Sequence, residues 1–300
     1  MSIKSLLSAF GLALFLSAPG HAMTVTHAQG ETEIDGIPET VLVYDLAVVD
    51  TLDALGVEVD GIPAINLPAY LEKYRDADLP PIGSLFEPDF EAVAAMAPDL
   101  VIVGGRSSPK YAELAAIAPT IDLSIDRGDF VASAKKNAET LGSIFGKEAE
   151  AEAAVAELDA AVAKLREASE GAGTVLVILT TGGRMSAHGP GSRFGVVYDE
   201  YGFTPAVEQL DTGLHGQSIS NEFILETNPD WLFVVDRDAA IGREGQAANQ
   251  MLDNELVRQT TAWTNDQVVY LDPVSWYIVG GGLTAMKTSI EQLTEAVSQD

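Results

Sequence analysis

A stretch of this chain occurs twice, 131 residues apart. The first copy runs from Glu91 across six residues to Pro98-Asp99, an apolar run from Leu100 to Val103, and then Arg106. The second runs from Glu222 across six residues to Pro229-Asp230, an apolar run from Trp231 to Val235, and then Arg237. Each copy predicts a helix, a Pro-Asp turn and a buried strand that ends on an arginine. A fainter echo opens each half, Thr40-Val-Leu-Val and Thr174-Val-Leu-Val. Duplication of this kind constrains the chain to two similar α/β lobes. An arginine aimed from a strand end in each lobe describes a cleft that binds an anion.

The remaining pattern agrees with that division. Thr40–Asp45 reads as a strand, Ala47–Gly56 as a helix, Phe90–Met96 as a helix and Leu100–Val103 as a strand. Tyr111–Ile117 and Phe130–Phe145 read as further helices. Residues 23–39 are polar and turn-rich and read as a loose start or a short entry strand. Alternating strands and helices imply a parallel sheet covered on both faces. From Lys147 to Ser169 alanine, glutamate and lysine dominate, and Val155, Leu158, Val162 and Leu165 recur at spacings of three and four. That is one helix, roughly 33 Å long at 1.5 Å per residue. Its position between the repeats makes it a strut joining lobes at 23–146 and 171–300, with residues 147–170 as the connection.

The first 22 residues read as a leader. Lys4 supplies the positive start, Leu6 to Ser17 an apolar stretch too short to span a bilayer comfortably, and Pro19-Gly20-His21-Ala22 a cleavage end with small residues at Gly20 and Ala22. Cleavage after Ala22 would export the mature chain. There is no cysteine, so no disulfide is expected and no residue after the leader can carry a lipid anchor. The expected product is free in a periplasm. A formal net charge of −28 argues against a nucleic-acid partner and for a soluble monomer with a solvated acidic surface.

Against that acidity the arginines stand out. Arg106 and Arg237 are the matched strand-end pair. Arg193 sits in the glycine-rich loop Gly189 to Gly195, where backbone approaches a ligand closely, and its planar fork suits carboxylates, phenolates or phosphates. Arg184 is a weaker candidate for the same task. His215 lies between glycines in a loop; taken alone it is as readily a solvent-exposed bystander as a ligand. Tyr277 follows Trp276 and precedes Gly280-Gly281-Gly282, and the plain alternative is an aromatic packed at a helix entry. One imidazole and one phenolate complete the shell of a hard oxidised metal but do not build a whole site.

Enzyme motifs fail on spacing. Gly142 and Gly146 are separated by three residues, and Glu148 stands where a phosphate loop needs Ser or Thr. Ser186 and Ser192 lack the glycines of a nucleophile elbow. The histidines have no paired helical spacing and no thiolate to join them in a zinc site.

Several segments together resemble the periplasmic siderophore-binding proteins, the cobalamin and iron-siderophore class of solute receptors for ABC importers. These are Gly83-Ser-Leu-Phe-Glu-Pro-Asp-Phe-Glu91, Ala97-Pro98-Asp99, Ile117-Ala-Pro119-Thr120, Ser192-Arg193-Phe194-Gly195 and Asn228-Pro229-Asp230. Val235-Asp236-Arg237, Leu252-Asp253-Asn254, Tyr270-Leu-Asp-Pro273 and Trp276-Tyr277 are similar to the subgroup that binds ferric catecholates. The resemblance spans about residues 38–298. It implies two Rossmann-like lobes joined by a single long helix, with the ligand cleft between them. It implies that Arg106, Arg193 and Arg237 face the anionic ferric complex beside Trp276, and that His215 and Tyr277 bind iron when the siderophore leaves positions open. It implies that Glu91 and Glu222 dock onto an inner-membrane ABC permease; capping charge at a helix N-terminus is the plain alternative for both. The reading is a receptor and not an enzyme, with no intrinsic cofactor and with ferric iron arriving as the siderophore complex. The alternatives are a receptor for haem, cobalamin or ferric hydroxamate and, from another class, an α/β enzyme acting on an anionic substrate.

Overall fold

The structure, a computed structural model, describes residues 22–77, 79–213 and 215–298. The leader expected over residues 1–22 lies outside the described residues except for Ala22.

The chain does not start loosely. Strands β1 (Ala22–His27) and β2 (Gly30–Asp35) form an antiparallel hairpin. Its outward positions are threonine and glutamate, and only Val25 and Ile34 are buried, so the alternation carries little apolar signal. It is fastened to the lobe by Thr32 Oγ1 donating to Thr120 O at 2.8 Å and Ala28 N donating to Asp122 O at 3.0 Å.

Three short parallel strands, β3 (Val41–Val43), β4 (Leu100–Val103) and β5 (Thr120–Asp122), form the first sheet in that order. All their residues are buried, as in a sheet covered on both faces. The helices Leu46–Ala54, Phe90–Met96 and Phe130–Phe145 cover it. Asp45 and Asp89 cap the first two, accepting from Ala47 N at 2.8 Å and Ala92 N at 3.0 Å.

The strut helix spans Glu148–Ser169, and its buried face includes Val155, Leu158, Val162 and Leu165. These four pack in one apolar cluster with Val131, Ala134 and Ala138 of the preceding helix and with Ile290 and Leu293 of the last.

The second sheet contains β6 (Thr174–Thr181), β7 (Arg184–His188), β8 (Thr204–Pro205), β9 (Gln217–Ile219), β10 (Trp231–Asp236) and β11 (Val268–Tyr270). The main order is β11-β10-β6-β7-β9, with β8 beside β6. It is mixed, not parallel as expected: β7 runs antiparallel to both β6 and β9. The cause is the two-residue turn Gly182-Gly183, where φ is +54° and +74°. Positive φ at both central positions is the hairpin turn matched to strand twist.

The lobes are also clasped directly. Asp50, on the helix of the first lobe, is buried and accepts from Thr284 N at 2.7 Å and Ala285 N at 3.1 Å. It thereby caps the closing helix Leu283–Val297. Tyr70 donates to the same carboxylate at 2.5 Å. The approach requires Gly282, where a Cβ would lie 2.6 Å from Asp50.

Candidate functional site

Strand β4 brings the chain to Gly104-Gly105-Arg106, and a serine-aspartate network holds that loop. Gly104 N donates to Ser107 Oγ at 3.0 Å, and Gly105 N to Ser124 Oγ at 2.9 Å. Ser108 and Ser124 both donate to Asp122 at 2.5 Å. Burial alone would raise the Asp122 carboxyl, but these donors and Gln29 outweigh it and hold the group below its ordinary value. Arg106 is thus delivered from a fixed loop.

Arg237 follows β10 directly and begins the short helix Arg237–Ala240, capped by Asp236 accepting from Ala239 N at 3.1 Å. The next residue, Asp238, is buried and accepts from Gly182 N at 2.5 Å, locking the helix to the β6–β7 turn. Arg193 comes from the loop before Val196–Asp199. There Gly191 N donates to Asp199 at 2.7 Å, and a Cβ on Gly195 would lie 2.7 Å from Gly191 N. Phe194 is buried edge-on to His188, their centroids 4.9 Å apart, so Arg193 stands on a packed base.

These three arginines meet at Tyr277. Arg106 and Arg193 each donate to its carbonyl oxygen at 2.7 Å, and Arg237 Nε donates to its hydroxyl at 2.8 Å. The guanidinium carbons stand 5.2, 4.0 and 5.5 Å from the ring centroid, in the same order. Burial would raise the Tyr277 phenol. The Arg237 hydrogen bond and the charges of Arg193, Arg237 and Arg106 outweigh that, and the phenol lies below its ordinary value. Burial, then the charge of Arg106, pulls the Arg193 guanidinium down to about 10, so it remains a cation at neutral pH.

The cluster opens into a cavity of about 1130 Å³ walled by both lobes. Six of the nine arginines line it and none of the eight lysines; Asp45 is the one carboxylate on its wall among the described residues. A chain of net charge −28 has therefore separated its charge, acid outside and guanidinium inside. The acidity that argues against a nucleic-acid partner is a property of the exterior.

His215 is exposed and lines the same cavity, with no direct bond to Tyr277. Trp276 lines it too, 8% exposed, with its indole nitrogen unpartnered among the described residues. Arg184 also reaches the cavity but stands apart from the Tyr277 cluster. Glu91 and Glu222 are exposed in the first turns of the two repeated helices. Asp89 provides the side-chain cap for the first helix, and Glu91 has no hydrogen-bond or ion-pair partner among the described residues. Glu222 accepts from Ser220 and from its own backbone N–H, which lower its carboxyl below the ordinary value.

Sequence reasoning missed Arg127, Arg243 and Phe86 on the cavity wall. Arg127 lies in Asp126-Arg127-Gly128-Asp129, which has the composition of a solvated turn. Phe86, 59% exposed, sits inside the quoted Gly83–Glu91 segment, and its solvent exposure was the signal available only from structure.

Residues 41–274 match the family model described as periplasmic binding protein. This chain belongs to that family. The petrobactin-binding protein YclQ of Bacillus subtilis is 40% identical over 92% of this chain and 89% of its own. Its crystal structure superposes with a TM-score of 0.89 over 93% of this chain and all of that one. The ferric-anguibactin-binding protein FatB of Vibrio anguillarum is 35% identical over 90% of this chain and 86% of its own. The periplasmic catecholate-siderophore binding protein VctP of Vibrio cholerae is 33% identical, with a TM-score of 0.86 over 93% of this chain and all of that one. The two-lobed α/β fold is the one these relatives share, and by name they are binding proteins.

Proposed function

We propose that this protein is an exported receptor that captures a ferric catecholate siderophore in the cavity between its lobes and hands it to an inner-membrane ABC importer. The observation that carries the reading is the convergence of Arg106, Arg193 and Arg237 on Tyr277. Catecholates bound to iron are anionic oxygen donors, and guanidinium groups in a partly desolvated wall match them. The relatives named for petrobactin, ferric anguibactin and catecholate siderophores support that ligand class over haem, cobalamin or hydroxamate.

Tyr277 and His215 complete the iron shell where the siderophore leaves it open. Ferric iron is a hard cation that selects phenolate oxygen. The arginines already favour the ionised phenol, so ligation costs less than it would for an ordinary tyrosine. The aryl faces of Trp276 and Tyr277 contact the catecholate rings. Glu91 and Glu222, exposed at the same place in each repeat, dock onto basic residues of the permease. The protein works as a monomer without catalysis or a resident cofactor, free in the periplasm once its leader is removed after Ala22.

The test is a tryptophan-quenching titration with a ferric tetradentate catecholate, run beside Tyr277→Phe. Saturable one-to-one quenching, weakened about tenfold or more in the variant, is the expected result. Absence of quenching would overturn the catecholate assignment in favour of haem, cobalamin or hydroxamate. Unchanged binding in Tyr277→Phe would remove the phenolate from the iron shell.

A further inference from the structure

Two guanidinium groups on the cavity wall stand out as unpaired among the described residues. Of the nine arginines, Arg75, Arg243 and Arg258 pair with carboxylates, Arg166 with a carbonyl, and Arg106, Arg193 and Arg237 with Tyr277. Arg127 and Arg184 have no hydrogen bond or ion pair from their side chains among the described residues. Both line the cavity, and both are exposed within it. In a chain with 45 acidic residues an unpaired arginine is not forced by want of partners.

Their placement is also costly. Arg127 lies near enough to Arg193 for its charge to oppose that cation. Arg184 sits at the β6–β7 turn, in register with Thr181, whose hydroxyl accepts from Arg237 at 3.2 Å. Arg127 therefore adds its charge to the inner cluster from the first lobe, and Arg184 stands apart from that cluster on the part of the wall that the second lobe supplies. Like charges gathered without an anion repel, and the arrangement is stabilised only when an anion arrives.

The charge of the ligand decides what that anion is. A ferric complex of two catecholates is a monoanion, which the three inner arginines already exceed. We propose that Arg127 and Arg184 form an outer anion-binding pair that receives a carboxylate carried by the ligand outside its iron-binding catecholates. This rests on the siderophore reading above and narrows it: the preferred ligand is a catecholate siderophore with a pendant carboxylate, and Arg184 acts in addition to Arg193, not in its place.

The experiment uses two synthetic probes, the ferric complex of a linear bis-catecholamide bearing a backbone carboxylate and that of its methyl ester. Both are titrated into the wild type, Arg127→Gln, Arg184→Gln and the double variant. The expected result is a preference of about tenfold for the acid in the wild type. Each single variant loses part of it, the double variant binds acid and ester equally, and affinity for the ester, whose iron core is still a monoanion, falls much less than affinity for the acid. Equal affinity for acid and ester in the wild type would overturn the proposal. So would a preference that survives in the double variant, which would place the carboxylate on the iron or on the inner arginines. A loss of ester binding in the variants as large as the loss of acid binding would overturn it as well, by showing that both groups act on the catecholate core. If neither probe binds the wild type, the siderophore reading itself has failed and the proposal falls with it.

Discussion

In the first copy of the repeat a helix stops at Ala97 with φ +46°, and Asp99 accepts from Glu39 N and Thr40 N, both at 2.9 Å. In the second a helix stops at Asn228 with φ +44°, and Asp230 accepts from Thr174 N at 2.7 Å and Thr174 Oγ1 at 2.8 Å. The strands that follow pair in parallel with the strands those threonines begin, Val41 opposite Leu100 and Val175 opposite Trp231. Up to this point the lobes are built alike. They part where the arginine is delivered. Two glycines and a serine-aspartate network bring Arg106 to the carbonyl of Tyr277, whereas an aspartate-capped helix brings Arg237 to its hydroxyl. Scaffold is repeated because its hydrogen bonds close within each lobe; the site differs because a single tyrosine must be met from two directions.

That contrast is tested most severely by removing each arginine. Arg237→Gln takes a donor from the phenol that ligates iron in the proposed complex, and about a hundredfold loss of ferric catecholate affinity is expected. Arg106→Gln removes a contact to backbone and one cationic neighbour, and about a tenfold loss is expected. Equal losses in isothermal titration would mean that the arginines act only as interchangeable charge. The pH dependence sharpens the same point. The phenol is held below its ordinary value, so its anion is favoured as pH rises through that lowered value and lost as pH falls through it. Arg237→Gln should move the binding midpoint to higher pH, toward the ordinary tyrosine range, and Arg106→Gln should move it less.

Smaller effects probe the scaffold. Asp230→Ala leaves partly buried donors at Thr174, and a cost of about 2 kcal/mol is expected in urea unfolding. Asp99→Ala acts at a more exposed site, and about 1 kcal/mol is expected. Smaller still, Ala97→Gly relieves an alanine in the left-handed region, less the entropic cost of glycine, and should stabilise by about 0.5 kcal/mol. Asn228→Gly should gain nothing, because asparagine tolerates that region and its Oδ1 accepts from Thr261 N at 2.7 Å.

Much of this was legible before any coordinates. The helices Phe90–Met96 and Phe130–Phe145 and the strand Leu100–Val103 fall where periodicity put them. Arg106, Arg193, Arg237 and Tyr277 come together in space. The first hairpin was half legible: a short entry strand was one of two readings, but a strand with threonine and glutamate on its outer face and one buried apolar residue gives no sign of its partner. The direction of β7 was not legible, because it depends on two glycine torsions. Arg127 was hidden by its neighbours: between two aspartates it reads as a salted turn, and only its place on the cavity wall gives it meaning.

The separation of charge has a kinetic consequence. An anion nearing this protein crosses a repulsive acidic field before it reaches the arginines, so the cavity is a well behind a barrier. Salt screens the exterior over about 10 Å but reaches a partly buried cluster far less. Ionic strength should therefore hasten arrival, the reverse of ordinary electrostatic steering, while the depth of the well changes little. Capture by such a receptor is gated by its surroundings and held by its interior.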